Sequence, residues 1–299
     1  MKIIALALAA TTALGTAVSA QEITQFNVGI LGGENAQDRA NSNECYRAAI
    51  EEALGVPVKV FTPADYDGVI QGLLGGTLDM AWLGASGYAK IYLTDPEAVS
   101  PVLTKQNVDG STGYYSFAFA RADSGITSID DAKGKTFVFA DPNSTSGYLV
   151  PGAELTAAYG PLDEYFSEVR FSGGHEQSIV AVANGDAEAG VSWADGLGDW
   201  EDGYNSGAFR KAADAGLVDM NDIVEIWKSK LIPEGPMVVR NVLPQDVKDK
   251  VIQLTADLHE TDKECAFGVA HGEAKDFVPV EHSAYDGVVA ARKLEEENS

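Results

Sequence analysis

Apolar and polar positions in the first third of the chain alternate between two patterns. Short runs of β-branched and aromatic residues predict buried strands, and the segments between them repeat apolar residues at helical spacing. The strands are expected at 26–31, 58–61 and 78–83, and the helices at 43–54, 65–74 and 85–93. Strands that alternate with helices favour a mostly parallel sheet covered by helices. The aromatic-rich run at 114–121 predicts a strand that leaves this first lobe.

The same alternation restarts in the second part of the chain. Strands are expected at 136–140, 187–193, 223–227 and 237–240, and helices at 128–132, 146–159, 175–184 and 244–268. The last seven residues, 293–299, are expected to be frayed. Two α/β lobes with the second inserted into the first fit this order. The predicted division is 21–117 for the first part of lobe 1, 118–233 for lobe 2 and 234–299 for the return to lobe 1.

The N-terminus carries an export signal. Lys2 supplies a basic start, an apolar run follows at 3–18, and Val18-Ser19-Ala20 matches a cleavage site, so residues 1–20 are expected to be removed. No Cys follows the site, which argues against a lipid anchor. A bacterial periplasm is the expected location, with simple secretion as the alternative.

Composition narrows the classes of molecule that the protein is expected to bind. The formal net charge of −24 and the pI near 4.3 disfavour binding to nucleic acid or an anionic membrane. A length of 299 residues with 45% hydrophobic content favours two domains. Cys45 and Cys265 can form one disulfide in an oxidising compartment or remain two buried thiols, and the sequence leaves both open.

Signatures of catalysis, cofactors and metals are missing from the sequence. The four histidines stand at unrelated spacings, and neither a dinucleotide loop, a phosphate-binding loop nor a Gly-x-Ser-x-Gly elbow occurs. A trio of Ser144, His175 and Asp195 can be drawn, but any chain of this length supplies such a trio. An exported hydrolase therefore ranks below a binding protein, and turnover of substrate would distinguish the two.

The stretch 136–151 carries the strongest candidate chemistry. A predicted strand ends in the turn Asp141-Pro142-Asn143, and Ser144, Thr145 and Ser146 then stand where a helix begins. Helix-start amides, the helix dipole and three hydroxyls together make a donor-rich cradle for an oxyanion. The alternative is an ordinary N-cap with turn residues around it.

Five further side chains are candidates at predicted strand ends and helix starts. Each also has a structural alternative, namely core packing for the aromatic residues, a structural role for the histidine and helix capping for the carboxylate. They are Tyr66, Trp82, Tyr114, His175 and Asp195, with Trp193 as a second tryptophan that can wall a pocket.

Six sequence blocks together resemble the periplasmic phosphonate-binding proteins of ATP-driven importers. They run in the same order over about 26–240. The blocks are Asp65-Tyr66-x-Gly-x-Ile70-Gln71-Gly72, Asp79-x-Ala81-Trp82-x-Gly84, Gly113-Tyr114, Asp141-Pro-Asn-Ser-Thr-Ser-Gly-x-Leu-Val-Pro151, Gly174-His175-Glu176 with Ala181-Val-Ala-Asn184, and Ile226-Trp227-Lys228-Ser229-x-Leu-Ile-Pro233. The fourth block is specific, whereas each of the others is weak by itself.

The resemblance implies a two-lobed periplasmic binding protein of type II, with a mixed sheet in each lobe and the ligand in the cleft between them. It implies that Ser144, Thr145, Ser146 and His175 grip the phosphonate, and that tyrosines at the positions of Tyr66 and Tyr114 line the cleft.

The expected ligand is 2-aminoethylphosphonate, with phosphite, methylphosphonate and phosphate as alternatives. Asp195 matches the position of an acidic residue that meets the ligand's amine, although the family carries Glu there, and Glu234 can replace a second acidic residue from a shifted position. An ABC permease is the expected partner, and the receptor is expected to be a monomer without catalysis.

Overall fold

The computed structural model describes residues 23–31, 41 and 43–298, and these residues form two six-stranded sheets with helices against both. The predicted mixed α/β architecture with two lobes is therefore confirmed. The predicted export signal at 1–20 lies outside the described residues.

The described strands, in chain order, are β1 (Phe26–Gly29), β2 (Val58–Phe61), β3 (Met80–Trp82), β4 (Val99–Gln106), β5 (Gly113–Arg121), β6 (Thr136–Phe139), β7 (Glu168–Phe171), β8 (Ala189–Ala194), β9 (Ile223–Lys228), β10 (Ile232–Pro233), β11 (Pro236–Arg240) and β12 (Asp276–Pro279).

The described α-helices are α1 (Glu44–Leu54), α2 (Tyr66–Leu74), α3 (Ala85–Thr94), α4 (Val150–Tyr159), α5 (Leu162–Tyr165), α6 (His175–Ala183), α7 (Ala208–Asp214), α8 (Gln245–Ala256), α9 (Leu258–Thr261), α10 (Lys263–Ala270) and α11 (Asp286–Asn298). A π-helical turn, Thr145–Leu149, leads into α4. Within the described part of the chain, each helix is too short or too polar to cross a membrane.

Strand pairing assigns each sheet to one lobe. The first sheet has the order β12-β4-β11-β3-β1-β2, and the second has β10-β5-β8-β6-β7 with β9 also paired to β5. In the first sheet, β1 runs parallel to β2 and β3. Strand β11 pairs antiparallel with β3 and β4, and β12 pairs antiparallel with β4. In the second, β6 is parallel to β7 and β8, whereas β5 is antiparallel to β8. Both sheets are mixed, since each combines βα units with returning strands.

The chain passes between the two sheets twice, after β4 and again between β10 and β11. The sequence places the first boundary between the lobes at 117/118, and this division stays a prediction. Because all of β5 pairs within the second sheet, we place that boundary before Gly113. The second crossing lies at 234–235, next to the predicted boundary.

Each lobe buries its own apolar core. In the first lobe, Phe26, Ile50 and Met80 pack together between sheet and helices. The disulfide Cys45–Cys265 joins α1 to α10, with the two Cα atoms 5.9 Å apart, so one of the two states left open by the sequence is realised. In the second lobe, aromatic side chains from β5 and β6 fill the core on both faces of the sheet.

Three local predictions are wrong for identifiable reasons. The segment 128–132 forms turns because the Asp131 carboxylate accepts hydrogen bonds from Thr127 N and Ser128 Oγ, which compete with a helix. The segment 244–268 is divided into α8, α9 and α10, and Asp262 caps the last of these. The C-terminal segment, which was expected to be frayed, is helical to Asn298. Helix α11 packs on α3 and on the π-helical turn Thr145–Leu149, and this packing stabilises it.

Candidate functional site

A cavity of about 170 Å³ lies between the lobes and is lined by residues from both. Nine of the ten side chains singled out in the sequence line it, and Asp195 does not. The nine are Tyr66, Trp82, Tyr114, Ser144, Thr145, Ser146, His175, Trp193 and Glu234. Most of them stand at carboxyl ends of strands or at starts of helices, as expected for α/β sheets, whereas Tyr114 stands near the amino end of β5.

The serine cluster forms a helix start that faces this cavity. After β6, the Asp141 carboxylate accepts a hydrogen bond from Asn143 N at 2.7 Å and closes a tight turn. Ser144 Oγ then accepts from Gly147 N at 3.0 Å, which is the predicted N-cap. The first bond of the π-turn runs from Leu149 N to Ser144 O, and among the described residues we find no partner for the amides of Thr145 and Ser146. These two amides are therefore donors available to an anion.

Gly147 gives this turn its shape. A Cβ atom at this position would lie 2.5 Å from Ala140 Cβ, 2.8 Å from Ser144 Oγ and 3.0 Å from His175 Cε1. Since real contacts of this kind are longer, only glycine lets the turn close against both the preceding strand and the histidine.

His175 opens α6 beside the helix start. Its Nε2 atom lies 3.0 Å from Ser144 Oγ, and its Nδ1 atom lies 3.4 Å from Ser192 Oγ. The ring is buried and faces the cavity. An imidazole in this position adds a donor to the hydroxyls and amides of the cradle.

The arrangement does not complete a catalytic triad from Ser144, His175 and Asp195. The Asp195 carboxylate accepts hydrogen bonds from Ser206 Oγ and Leu197 N, each at 3.1 Å, and Ser192 rather than Asp195 faces the Nδ1 atom of His175. In residues 23–31, 41 and 43–298, we find no group of three or more His, Cys, Asp and Glu side chains that could hold a metal ion.

The first lobe holds the loop that carries the cradle. Ser86 N, in the first turn of α3, donates to Thr145 Oγ1 at 2.8 Å, and Tyr66 N donates to the Asp141 carboxylate at 3.4 Å. Arg292 of α11 donates to Pro142 O at 2.9 Å and to Asn143 Oδ1 at 3.0 Å. The cradle is thus built by the second lobe and positioned by the first.

Aromatic rings form a wall of the cavity. The Tyr114 and Trp193 rings meet edge to face with centroids 5.3 Å apart, and Trp82 packs on Phe277 at 5.1 Å. Burial raises the pKa of Tyr114, and the nearby charge of Glu234 raises this pKa further, so its phenol remains a hydrogen-bond donor at neutral pH. The wall is amphipathic, since it presents both apolar ring faces and hydrogen-bonding hydroxyls to the cavity.

The sequence reasoning missed Lys105. This residue lies on β4, lines the cavity, and places its Nζ atom 2.6 Å from Glu234 Oε1. No motif marks it, because it stands in a strand that was not predicted. A lysine that closely follows the apolar residues Val102 and Leu103 is the signal that could have revealed it. Lys211 and His271 also line the cavity without a motif.

Comparison with known proteins shows similarity along most of the chain. A family model described as "ABC transporter, phosphonate, periplasmic substrate-binding protein" matches residues 28–285. The chain is 31% identical to the phosphonates-binding periplasmic protein of Escherichia coli over 261 residues, which are 86% of this chain and 72% of the relative. It is 28% identical to the phosphate-import protein PhnD of Mycolicibacterium smegmatis over 286 residues, covering 86% and 82% of the two chains.

A solved structure agrees with this assignment. The binding-protein component of an ABC phosphonate transporter from Pseudomonas aeruginosa is 25% identical, with a TM-score of 0.78 over 91% of this chain and 86% of that protein. The matched family segment includes both sheets except for the first two residues of β1, and it includes the complete cradle. The chain therefore belongs to the family of periplasmic substrate-binding proteins of phosphonate ABC transporters.

Proposed function

We propose that this protein captures a phosphonate in the cavity between its lobes and delivers it to an ABC permease. The observation that carries the proposal is the helix start at Ser144, where hydroxyls, two amides and the His175 ring face one cavity. The three oxygens of a tetrahedral phosphonate group suit such a convergent set of donors.

Neutral donors suffice for this ligand. The positive end of the helix dipole and the amides of Thr145 and Ser146 favour negative charge locally, although the whole protein is strongly acidic. Among the described lining residues, we find no arginine that could clamp the anion bidentately. Binding through neutral donors also suits a receptor that must release its ligand.

The proposal does not specify the chemical group attached to the phosphonate, which we call the tail of the ligand. The relatives carry different names, one for phosphonates and one for phosphate, so membership of the family leaves the ligand unspecified. For this chain 2-aminoethylphosphonate stays a prediction, with methylphosphonate, phosphite and phosphate as alternatives. Of the two carboxylates expected to meet a ligand's amine, Glu234 lines the cavity and Asp195 lies outside the lining.

Calorimetric titration tests the proposed function. The mature protein, beginning at Gln21, is titrated with methylphosphonate, 2-aminoethylphosphonate, phosphite and phosphate under identical buffer and salt. We expect at least one phosphonate to bind more tightly than phosphate. Failure of both phosphonates to bind would overturn the proposal.

We also propose that the receptor works as a periplasmic monomer after cleavage behind Ala20. The family name places relatives in the periplasm, and the sequence supplies the cleavage site. Intact mass of the protein recovered from a periplasmic extract tests the cleavage, and light scattering tests the monomer.

Binding without turnover completes the proposal. The relatives are named as binding or import proteins, and the Ser144–His175 pair lacks the orienting Asp195 that a triad would need. Incubation with an excess of a phosphonate ester followed by assay for released alcohol tests this point. Release that stops in a His175→Ala variant would favour the hydrolase instead.

A further inference from the structure

The cavity contains a buried ion pair in addition to the anion cradle. Lys105 Nζ lies 2.6 Å from Glu234 Oε1, and the two side chains are only 6% and 8% exposed. Both residues line the same cavity as Ser144 and His175. Lys105 comes from β4 of the first sheet, while Glu234 stands at the second crossing between the lobes.

The ammonium group of Lys105 has further partners that a ligand's amine would also seek. It donates to Ser206 Oγ at 2.9 Å, and this hydroxyl donates in turn to the Asp195 carboxylate at 3.1 Å. It also lies 5.4 Å from the centre of the Trp193 ring, within range of a cation–π contact. The ammonium group of Lys105 thus pairs directly with Glu234 and is connected to Asp195 through the Ser206 hydroxyl.

We propose that Lys105 is a built-in substitute for a ligand's ammonium group, so that the receptor selects phosphonates whose tails carry no positive charge. This inference rests on the proposed function and specifies its ligand class. An incoming ammonium would either approach Lys105 as a like charge or displace it from Glu234. Displacement would leave a buried lysine without its carboxylate, which is strongly unfavourable.

A matched pair of ligands isolates the tail's charge. In n-propylphosphonate a methyl group replaces the ammonium of 2-aminoethylphosphonate, while the chain length and the phosphonate stay the same. We expect the wild-type protein to bind n-propylphosphonate at least as tightly as 2-aminoethylphosphonate. This comparison requires no variant, so it tests the inference even if a substituted protein fails to fold.

Substitution at the ion pair then tests the cause. Lys105→Met removes the charge while keeping most of the side chain, and it releases Glu234 to pair with a ligand. We expect the ratio of affinities to move at least tenfold toward 2-aminoethylphosphonate, and the additional change Glu234→Gln to reverse this gain. Lys133→Met, at an exposed lysine of the second lobe, is the matched control and should leave the ratio unchanged.

The outcomes separate this inference from the proposed function. A wild-type preference of tenfold or more for 2-aminoethylphosphonate would overturn the role of Lys105, as would an unchanged ratio in the Lys105→Met protein, while phosphonate binding itself still stood. Absence of binding by every phosphonate to the wild-type protein would overturn the proposed function and this inference together.

Discussion

Arg292 Nη2, on the last helix, lies 3.0 Å from Oδ1 of Asn143, the residue immediately before the N-cap Ser144. The same guanidinium donates to Pro142 O, so α11 of the first lobe grips the loop that carries the anion cradle of the second. Glu295 and Glu296 hold the guanidinium from the other side, at 3.4 and 3.1 Å. The end of the chain is therefore part of the framework of the site.

Replacing Arg292 by Met should loosen this loop. The side chain is buried, and hydrogen bonds from a charged group contribute about 1.5–3 kcal/mol, so we expect a loss of that order in the free energy of unfolding. Phosphonate affinity should fall as well, because the cradle must be ordered on binding. Urea unfolding and calorimetric titration measure the two effects.

Lys293→Met is the control, since this neighbouring cation is 65% exposed and lies 4.0 Å from Glu297. An exposed pair contributes little, and both readouts should stay near the wild-type values. Equal losses in the two variants would contradict a specific role for Arg292.

Ser144→Ala should impair stability and binding together. Loss of an N-cap hydroxyl costs about 0.5–2 kcal/mol, and this hydroxyl also faces His175. We expect weaker binding of all phosphonates, regardless of the tail. Asp262→Ala provides the comparison, because Asp262 caps α10 through Cys265 N and does not line the cavity. A similar loss of affinity in the Asp262 variant would show that capping alone explains the effect.

Gly147→Ala should abolish phosphonate binding. The added Cβ would meet Ala140, Ser144 and His175 at 3.0 Å or less, so the cradle must shift to admit it. Gly152→Ala, on the helix that follows, meets only the Tyr148 ring at 3.5 Å and should raise stability by about 0.5–1 kcal/mol. Titration with methylphosphonate distinguishes them, and unchanged affinity in the Gly147 variant would refute the geometry of the turn.

Reduction of the Cys45–Cys265 disulfide should destabilise the first lobe. The bond closes a sequence separation of 220 residues, and removal of a disulfide of this kind typically costs about 2–4 kcal/mol. Thermal unfolding with and without dithiothreitol measures the loss. A double Cys45→Ser, Cys265→Ser protein should unfold at the lower temperature in both buffers, and a response of this variant to dithiothreitol would contradict the assignment.

The stability contribution of Asp141 should depend on pH with a defined sign. Burial raises the pKa of this carboxyl despite hydrogen bonds from Asn143 N and Tyr66 N. Because the folded state then holds the proton more strongly, the contribution is complete below the ordinary carboxyl pKa and is lost as pH rises through the folded pKa. The stability of wild type relative to Asp141→Asn should therefore fall as pH increases across this window.

The stability contribution of Asp131 should depend on pH in the opposite direction, and the variant Asp131→Asn tests this. Hydrogen bonds from Thr127 N and Thr127 Oγ1 lower the pKa of Asp131, so its contribution is present above the ordinary carboxyl pKa and is lost as pH falls. Urea unfolding of the three proteins over a series of pH values compares the slopes. Slopes of the same sign for the two variants would contradict the assigned directions.

The amino-acid pattern alone determined much of the fold and of the cradle. Strands at 58–61 and 136–139 and helices that begin near Tyr66 and His175 are local features, because apolar periodicity, turn residues and N-caps act within a few positions. The oxyanion site was recognisable for the same reason, since a strand, a turn and three hydroxyls at a helix start are contiguous. Its anion-binding role itself stays a prediction.

Tertiary structure decided which charged groups of the cavity pair with one another. Lys105 and Glu234 are far apart in sequence and meet because β4 and the second crossing come together in space. The sequence could supply a carboxylate for an amine but could not show that an internal lysine already pairs with it. The disulfide and the contact of Arg292 with Asn143 also join distant segments. Local patterns specify which groups the chain can offer, whereas long-range packing specifies which of them are already engaged with one another.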